Sequence, residues 1–269
     1  MGYIEKTILQ HGYRGMPILA QQLPENYIEI AANAILSWPK GKILIATGFY
    51  VAGYAETDGP LGAVAIAKAI EKLGFEPVIV TDKFCEGFFE IENIPVIYVP
   101  LDAQKEQLET ILEEQNPVGL IAIERCGTNV NGVYANMSGK DITEVTAPID
   151  LLFDMAAGKI PTVGIGDGGN EIGMGNVQET IAKELALVPC RNTVDYLVIA
   201  TVSNWGGYGL VAGLSEATGE KLLMSYEEIA NYLEKIVKLG SIDGVLKEHV
   251  LSADAFGLDI EKEILTALK

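Results

Sequence analysis

Pro161-Thr162-Val163-Gly164-Ile165-Gly166-Asp167-Gly168-Gly169-Asn170-Glu171-Ile172-Gly173-Met174-Gly175 runs a short apolar segment directly into six glycines, two carboxylates and one carboxamide. The apolar start reads as a buried strand, and the glycines and acids emerge where that strand ends. Glycine lets main-chain N–H groups approach a ligand closely, and Asp167 and Glu171 offer oxygens for a cation or for proton transfer. The bland alternative is a glycine-rich connection with solvated acids. The stretch also satisfies G-x-G-x-x-G at Gly164, Gly166 and Gly169. Asp167 and Glu171 would face a pyrophosphate there, and Gly173 and Gly175 would interrupt the helix that should hold it, so a dinucleotide site is disfavoured. A second match, Gly207-x-Gly209-x-x-Ala212, is explained more simply by close helix packing.

Outward from this stretch, similar Val/Ile/Leu-rich runs recur at Lys42 to Thr47, Pro77 to Thr81, Pro95 to Val99, Val118 to Ile123 and Tyr196 to Val202. Amphipathic segments lie between them, among them Pro60 to Leu73 and Gln104 to Gln115. Tyr27 to Leu36 predicts a helix before the first strand. After Tyr208 the chain becomes helical, most clearly at Glu227 to Leu239 and Ile260 to Leu268. The alternation predicts an α/β fold: a mostly parallel sheet of about six strands covered by helices, with a helical C-terminal region. No Pro/Gly/Ser-rich linker divides residues 1–269, which read as one domain. Residues 126–146 hold glycines and asparagines with little periodicity, the composition of a lid or binding loop.

The chain has 269 residues, 49% of them hydrophobic, enough for a sizeable core. With 19 basic and 37 acidic residues its net charge is −18, which excludes nucleic acid and anionic membrane surfaces as partners. An anionic small molecule would need a local positive field from a divalent cation, a placed arginine or helix N-termini. Cys85, Cys126 and Cys190 are odd in number and form no CxxC pair, which fits a reducing compartment. The start, Met1 to Lys6, lacks the regions of a signal peptide, and no run of about eighteen apolar residues exists. The expected location is the cytoplasm, and a homo-oligomer is admissible.

In parallel sheets ligands bind beyond the carboxyl ends of the strands. Four of the six strand ends share one composition. The first leads to Gly48 and then to Glu56-Thr57-Asp58-Gly59-Pro60, the fourth to Glu124-Arg125-Cys126-Gly127, the fifth to Gly166-Asp167-Gly168-Gly169 and the sixth to Ser203-Asn204-Trp205-Gly206-Gly207. These four ends should form one pocket. The only histidines, His11 and His249, lie far in sequence from them, so proton transfer falls to carboxylates, with Tyr50, Tyr134 and Lys140 as lesser candidates. Asp58 has capping of the helix at Pro60 as its alternative role. Glu124 and Arg125, adjacent on a strand, point to opposite faces and should not pair. Metal ligands would be oxygens from Asp58, Glu124, Asp141, Asp167 or Glu171, with Asp58, Asp141 and Asp167 as the preferred set, suited to Mg2+ or Mn2+. No organic cofactor is expected.

Glu56 to Ala63, Glu124 to Gly127, Tyr134 to Ile142, Gly164 to Asn176 and Ser203 to Tyr208 together resemble the D-glutamate cyclase C-terminal domain family. A weaker echo lies at Ile242-Asp243-Gly244-Val245. The resemblance implies a lyase that converts D-glutamate, a small anionic amino acid, to 5-oxo-D-proline with loss of water. Chemistry then assigns the roles. Asp167, Glu171 and Glu124 are the catalytic candidates. Gly168 and Gly169 N–H groups would stabilise an oxyanion, Arg125 would hold the α-carboxylate, and Thr57, Asp58, Asn136, Asn170, Ser203 and Asn204 would orient the substrate. Two rivals are a divalent-metal-dependent hydrolase or phosphatase and a non-catalytic metabolite or nucleotide sensor.

Overall fold

The computed structural model describes all 269 residues. Three helices, α1 (Tyr3–Ile8), α2 (Met16–Ala20) and α3 (Tyr27–Ser37), precede β1 (Lys42–Thr47). A small hairpin of β2 (Tyr50–Val51) and β3 (Tyr54–Ala55) leads to α4 (Pro60–Lys72), β4 (Glu76–Thr81), β5 (Val96–Tyr98), α5 (Lys105–Gln115) and β6 (Gly119–Ile123). The chain continues through α6 (Asp150–Ala156), β7 (Thr162–Gly166), α7 (Gln178–Glu184), β8 (Tyr196–Ile199), α8 (Ser203–Thr218) and α9 (Tyr226–Lys238). A second hairpin, β9 (Ser252–Ala253) with β10 (Phe256–Gly257), precedes α10 (Leu258–Ala267). No helix is long and apolar enough to cross a membrane.

Six strands form one sheet in the order β5-β4-β1-β6-β7-β8, and every neighbouring pair is parallel. The strands are nearly wholly apolar because both faces are covered. The chain winds outward from β1 through β4 to β5, then returns to the other side of β1 and winds outward again. Right-handed crossovers in opposite directions put their helices on opposite faces. Accordingly α8 packs with α4 and α3, and α5 packs with α6. This is the doubly wound order, and its switch point is the crevice between the carboxyl ends of β1 and β6. The four strand ends of shared composition belong to β1, β6, β7 and β8, which are neighbours in the sheet.

One element departs from expectation. The sixth strand was to run to Val202 and end in a glycine-rich loop; it stops at Ile199, and Ser203 opens the 16-residue α8. Glycine disfavours helices in isolation, but here tertiary packing overrides propensity. A Cβ on Gly207 would stand 2.8 Å from Gly62 Cα, one on Gly206 2.6 Å from Ile165 Cγ2, and one on Gly209 2.9 Å from Ile8 Cγ2. The glycines are the faces on which α8 touches α4, the sheet and α1.

That close approach brings the first turns of α4 and α8 together, and each caps the other. Neither helix is capped by its own N-cap side chain. The Asp58 carboxylate instead accepts from the Ser203 and Asn204 N–H groups at 2.9 and 2.7 Å. Asn204 Oδ1 accepts from the Gly59 and Gly62 N–H groups at 3.0 and 2.9 Å. Two helix N-termini, each a positive dipole end, thereby meet beside the switch point. We expect Gly207→Ala to lower stability by about 1–3 kcal/mol through overpacking, although alanine outranks glycine by about 1 kcal/mol in an open helix. Urea unfolding measures the difference, and a stabilised variant would remove the crossing as the cause.

Candidate functional site

Six buried carboxylates collect around the switch point: Glu56, Asp58, Glu124, Asp167, Glu171 and Asp254. Glu56 and Asp58 precede α4, Glu124 follows β6, Asp167 and Glu171 follow β7, and Asp254 sits in the β9–β10 turn. The Ser203 N–H is shared by Asp58 and Asp167 at 2.9 and 3.2 Å, and Ser203 Oγ donates to Glu124 at 2.5 Å. Arg14, between α1 and α2, is ion-paired with Asp254 and stands 3.6 Å from Asp167. Glu124 holds φ at +43°, a region that non-glycine side chains rarely adopt, directly at the crevice. The turn sends Glu124 to Ser203 and the next side chain, Arg125, in another direction.

Glu171 occupies a nest of backbone donors. The N–H groups of Gly168 and Gly169 reach its two oxygens at 2.6 and 2.8 Å, and that of Asp167 lies at 3.3 Å. Gly169 at φ +96° makes the turn possible. Burial raises the Glu171 carboxyl to about 7, assisted by the charge of Asp167 and opposed by the nest. Burial likewise raises Asp167 to about 8 against the pull of Arg14, with Asp58 adding to the rise. Glu124 and Glu56 are pushed well above the carboxylate range by burial and then by neighbouring acids. Burial works against the Arg14 charge, yet the surrounding anions, Asp167 foremost, raise its affinity for the proton. The site thus holds protons near neutral pH.

A cavity of about 290 Å³ opens onto the cluster. Glu124, Glu56, Asp254, Arg14 and Asn170 line it, as do Asn136 and Lys140 from residues 126–146 and Lys247 from the segment before β9. Asp167 and Glu171 stand behind Glu124. Two lining residues carry unpartnered buried atoms, the Arg14 Nε donor and the Asn170 Oδ1 acceptor. Asn170 Oδ1 and Glu171 Oε1 would each lie 2.8 Å from a Cβ at Gly168, so the orphan acceptor is next to the nested carboxylate. Oxygens of Glu124, Asp167 and Glu171 fall within 4.8 Å of one another, as do those of Asp58, Asp167 and Asp254. The first set fits a hard divalent ion better, because Asp254 is ion-paired with Arg14 and Asp58 is spent on helix caps.

Asp58, Glu124, Asp167, Asn170, Glu171 and Ser203 therefore converge, and other sequence candidates take different places. Arg125 does not line the cavity: its guanidinium is buried on Asp82 at 2.6 Å and on the Gly48 and Ala147 carbonyls at 2.8 Å. Asp141 is exposed and caps a short turn through the Thr143 N–H, outside both ligand groupings. Thr57 donates to the Ser252 carbonyl, and Asn204 is the α4 cap. Asn136 lines the cavity while its Oδ1 closes a turn on the Ser138 and Lys140 N–H groups. Gly168 and Gly169 point their N–H groups at Glu171. Sequence reasoning missed Arg14, Glu56 and Asp254 as site residues. Glu56 stood in a strand end already expected at the pocket without being given a role, and for Arg14 the legible signal was Gly12-Tyr13-Arg14-Gly15, a scarce arginine among glycines in an acidic chain.

The fold and site define a doubly wound α/β protein that gathers proton-holding carboxylates at its switch point. The family described as D-glutamate cyclase-like, C-terminal, matches residues 4–269, and the chain belongs to that family. It is 30% identical over 256 residues to the human mitochondrial D-glutamate cyclase, a match covering 80% of this chain and 41% of the human protein. The chain thus spans about two fifths of that relative's length. A solved structure of Acinetobacter baumannii MurG aligns with a TM-score of 0.33 and 11% identity over 59% of this chain and 45% of its own, a likeness too slight to bear on fold or chemistry.

The raised carboxyls make stability depend on pH. Asp167 titrates at about 8 in the folded chain and at 3.8 as an unperturbed side chain. Its protonated form favours folding fully below pH 3.8, and the advantage is lost as pH rises through 8. Asp167→Asn, which cannot ionise, should melt several degrees above the parent at pH 8, at about 2–4 °C per kcal/mol, with the gap closing toward pH 4. Thermal melts across that range test this, and a gap that widens on acidification would refute the buried-acid account.

Proposed function

We propose that this chain is a D-glutamate cyclase-like lyase that forms 5-oxo-D-proline and water from D-glutamate. The observation that carries the reading is a pair of orphaned buried atoms on two residues that line the cavity, a donor on Arg14 and an acceptor on Asn170. A free amino acid presents the complement, a carboxylate to Arg14 Nε and an ammonium to Asn170 Oδ1. Family membership supports the same choice of substrate.

The reaction sets a proton count that the cluster suits. The nitrogen joins the γ-carbonyl carbon and keeps one proton, so two of the three ammonium protons leave. Both end on the departing γ-oxygen, which goes as water, and no net proton is consumed. Glu124, on the cavity wall and held protonated by burial, donates to that oxygen. Glu171, which does not line the cavity, accepts the proton of the nitrogen by relay through Glu124 once Glu124 has donated, and Asp167 has an oxygen within 4.8 Å of both. After two transfers the carboxylates return to their starting charge. A magnesium or manganese ion held by Glu124, Asp167 and Glu171 would supply Lewis-acid polarisation of the γ-carboxyl when bound. Arg14 orients the α-carboxylate.

Purified protein incubated with D- or L-glutamate, with and without manganese, should lose primary amine and gain 5-oxoproline with the D-isomer. The rate should fall below about pH 7, where Glu171 gains a proton, and above about pH 8, where Asp167 loses one. Glu124→Gln should lower kcat by about 10²–10⁴-fold with the melting transition retained. Absence of D-glutamate turnover, or full activity in Glu124→Gln, would overturn the reading.

A further inference from the structure

The cavity has a charge deficit that its arginine does not fill. Arg14, Lys140 and Lys247 are the three cations that line it. Arg14 is already neutralised by Asp254 and Asp167, and Arg125 is paired internally with Asp82. Lys140 and Lys247 form no ion pair, and their ammonium groups make no hydrogen bond or aromatic contact within the chain, although Asp and Glu outnumber Lys and Arg by 37 to 19. Both lysines are exposed, and they leave two unpaired positive charges on a cavity whose other cation is already spent.

Their backbones are held in place. Lys140 closes the turn built on Asn136 Oδ1, at the tip of a short antiparallel pairing between Ala135 and Asp141. Lys247 adopts φ +58° and donates its N–H to the Asp243 carbonyl at 2.8 Å. The Asp243 carboxylate fixes the same segment by accepting from the Val245, Leu246 and Ala255 N–H groups at 2.8 to 2.9 Å. A Cβ on Gly244 would run into the Glu56 carboxyl, so the segment is seated directly against the acid cluster. The two lysines thus come from different segments, residues 126–146 and the stretch before β9, onto one cavity.

We infer that Lys140 and Lys247 form an anion clamp that supplies the counter-charge for the carboxylate which substrate and product have in common. The inference rests on the lyase reading for the identity of that carboxylate. In the conversion the γ-carboxyl loses its charge and the α-carboxylate keeps its own, so the clamp binds both ends of the reaction and selects anionic ligands over their neutral amides. Arg14 aligns the carboxylate by hydrogen bonding; the lysines neutralise it.

The test compares the parent with Lys140→Met, Lys247→Met, the double variant and Lys221→Met. Lys221 is exposed beyond the far end of α8, so its replacement makes the same change in net charge away from the cavity. Each clamp variant should raise KM for D-glutamate about 3- to 10-fold, as expected of an exposed charge pair near a desolvated site, with kcat within about twofold. The double variant should also flatten the fall of kcat/KM with added salt, and Lys221→Met should match the parent. Glutarate, which has no amine and cannot cyclise, is the binding probe: it should raise the melting temperature of the parent and of Lys221→Met, and not of the double variant. If the parent makes no 5-oxoproline but shows this lysine-dependent glutarate protection, the clamp stands and the lyase reading falls. If glutarate fails to protect the parent, or protects the double variant equally, the clamp is refuted.

Discussion

The site exists because two helices start at the same place. Gly62 and Gly207 let α4 and α8 approach until a single added carbon would meet backbone, and Asp58 and Asn204 then close each other's helix ends. One helix follows β1 near the centre of the sheet and the other follows β8 at its edge. Their contact folds the last quarter of the chain back over the first, and the positive dipole ends of two helices meet beside one crevice. The acids that gather there need that field, since carboxylates buried together repel and favour their neutral forms.

The remaining strain is local and has a visible arrangement. Glu124 turns through a left-handed backbone conformation and finds Ser203; Arg125 follows it and is consumed by Asp82. Glu171 is wrapped in the N–H groups of its own loop and remains the most easily ionised of the acids whose value falls near neutrality. The same burial that destabilises these carboxylates as anions keeps protons bound to them near neutral pH.

Much of this was legible in the residues. The apolar runs marked the six strands to within a residue or two at most of their ends, and the recurrence of glycine with a carboxylate or amide after four of them predicted which strand ends would neighbour one another. The expectation that Glu124 and Arg125 do not pair agrees with their separate partners, but the cause differs: β6 ends at Ile123 and a left-handed turn at Glu124, not strand alternation, parts the two side chains. The glycines at Gly207 and Gly209 were read as packing residues, which they are, but the helix they belong to was started too late. A run of Gly206 and Gly207 weighs against helix until the neighbouring element that requires them is in view.

Chemical type and local order were thus set by sequence: alternating strands and helices, with acids and amides at the strand ends. Tertiary structure alone decided which charges meet. Arg14, Asp254 and Lys247 lie in short irregular segments at the two ends of the chain, where no periodicity flags them, and Arg125 carries the right group in the wrong direction. Periodicity reports which face of an element is buried, a property of neighbours in sequence. Partnership among charged groups depends on loop paths that join residues more than a hundred positions apart, such as Arg14 with Asp254, and those paths are fixed only when the sheet and its helices have packed.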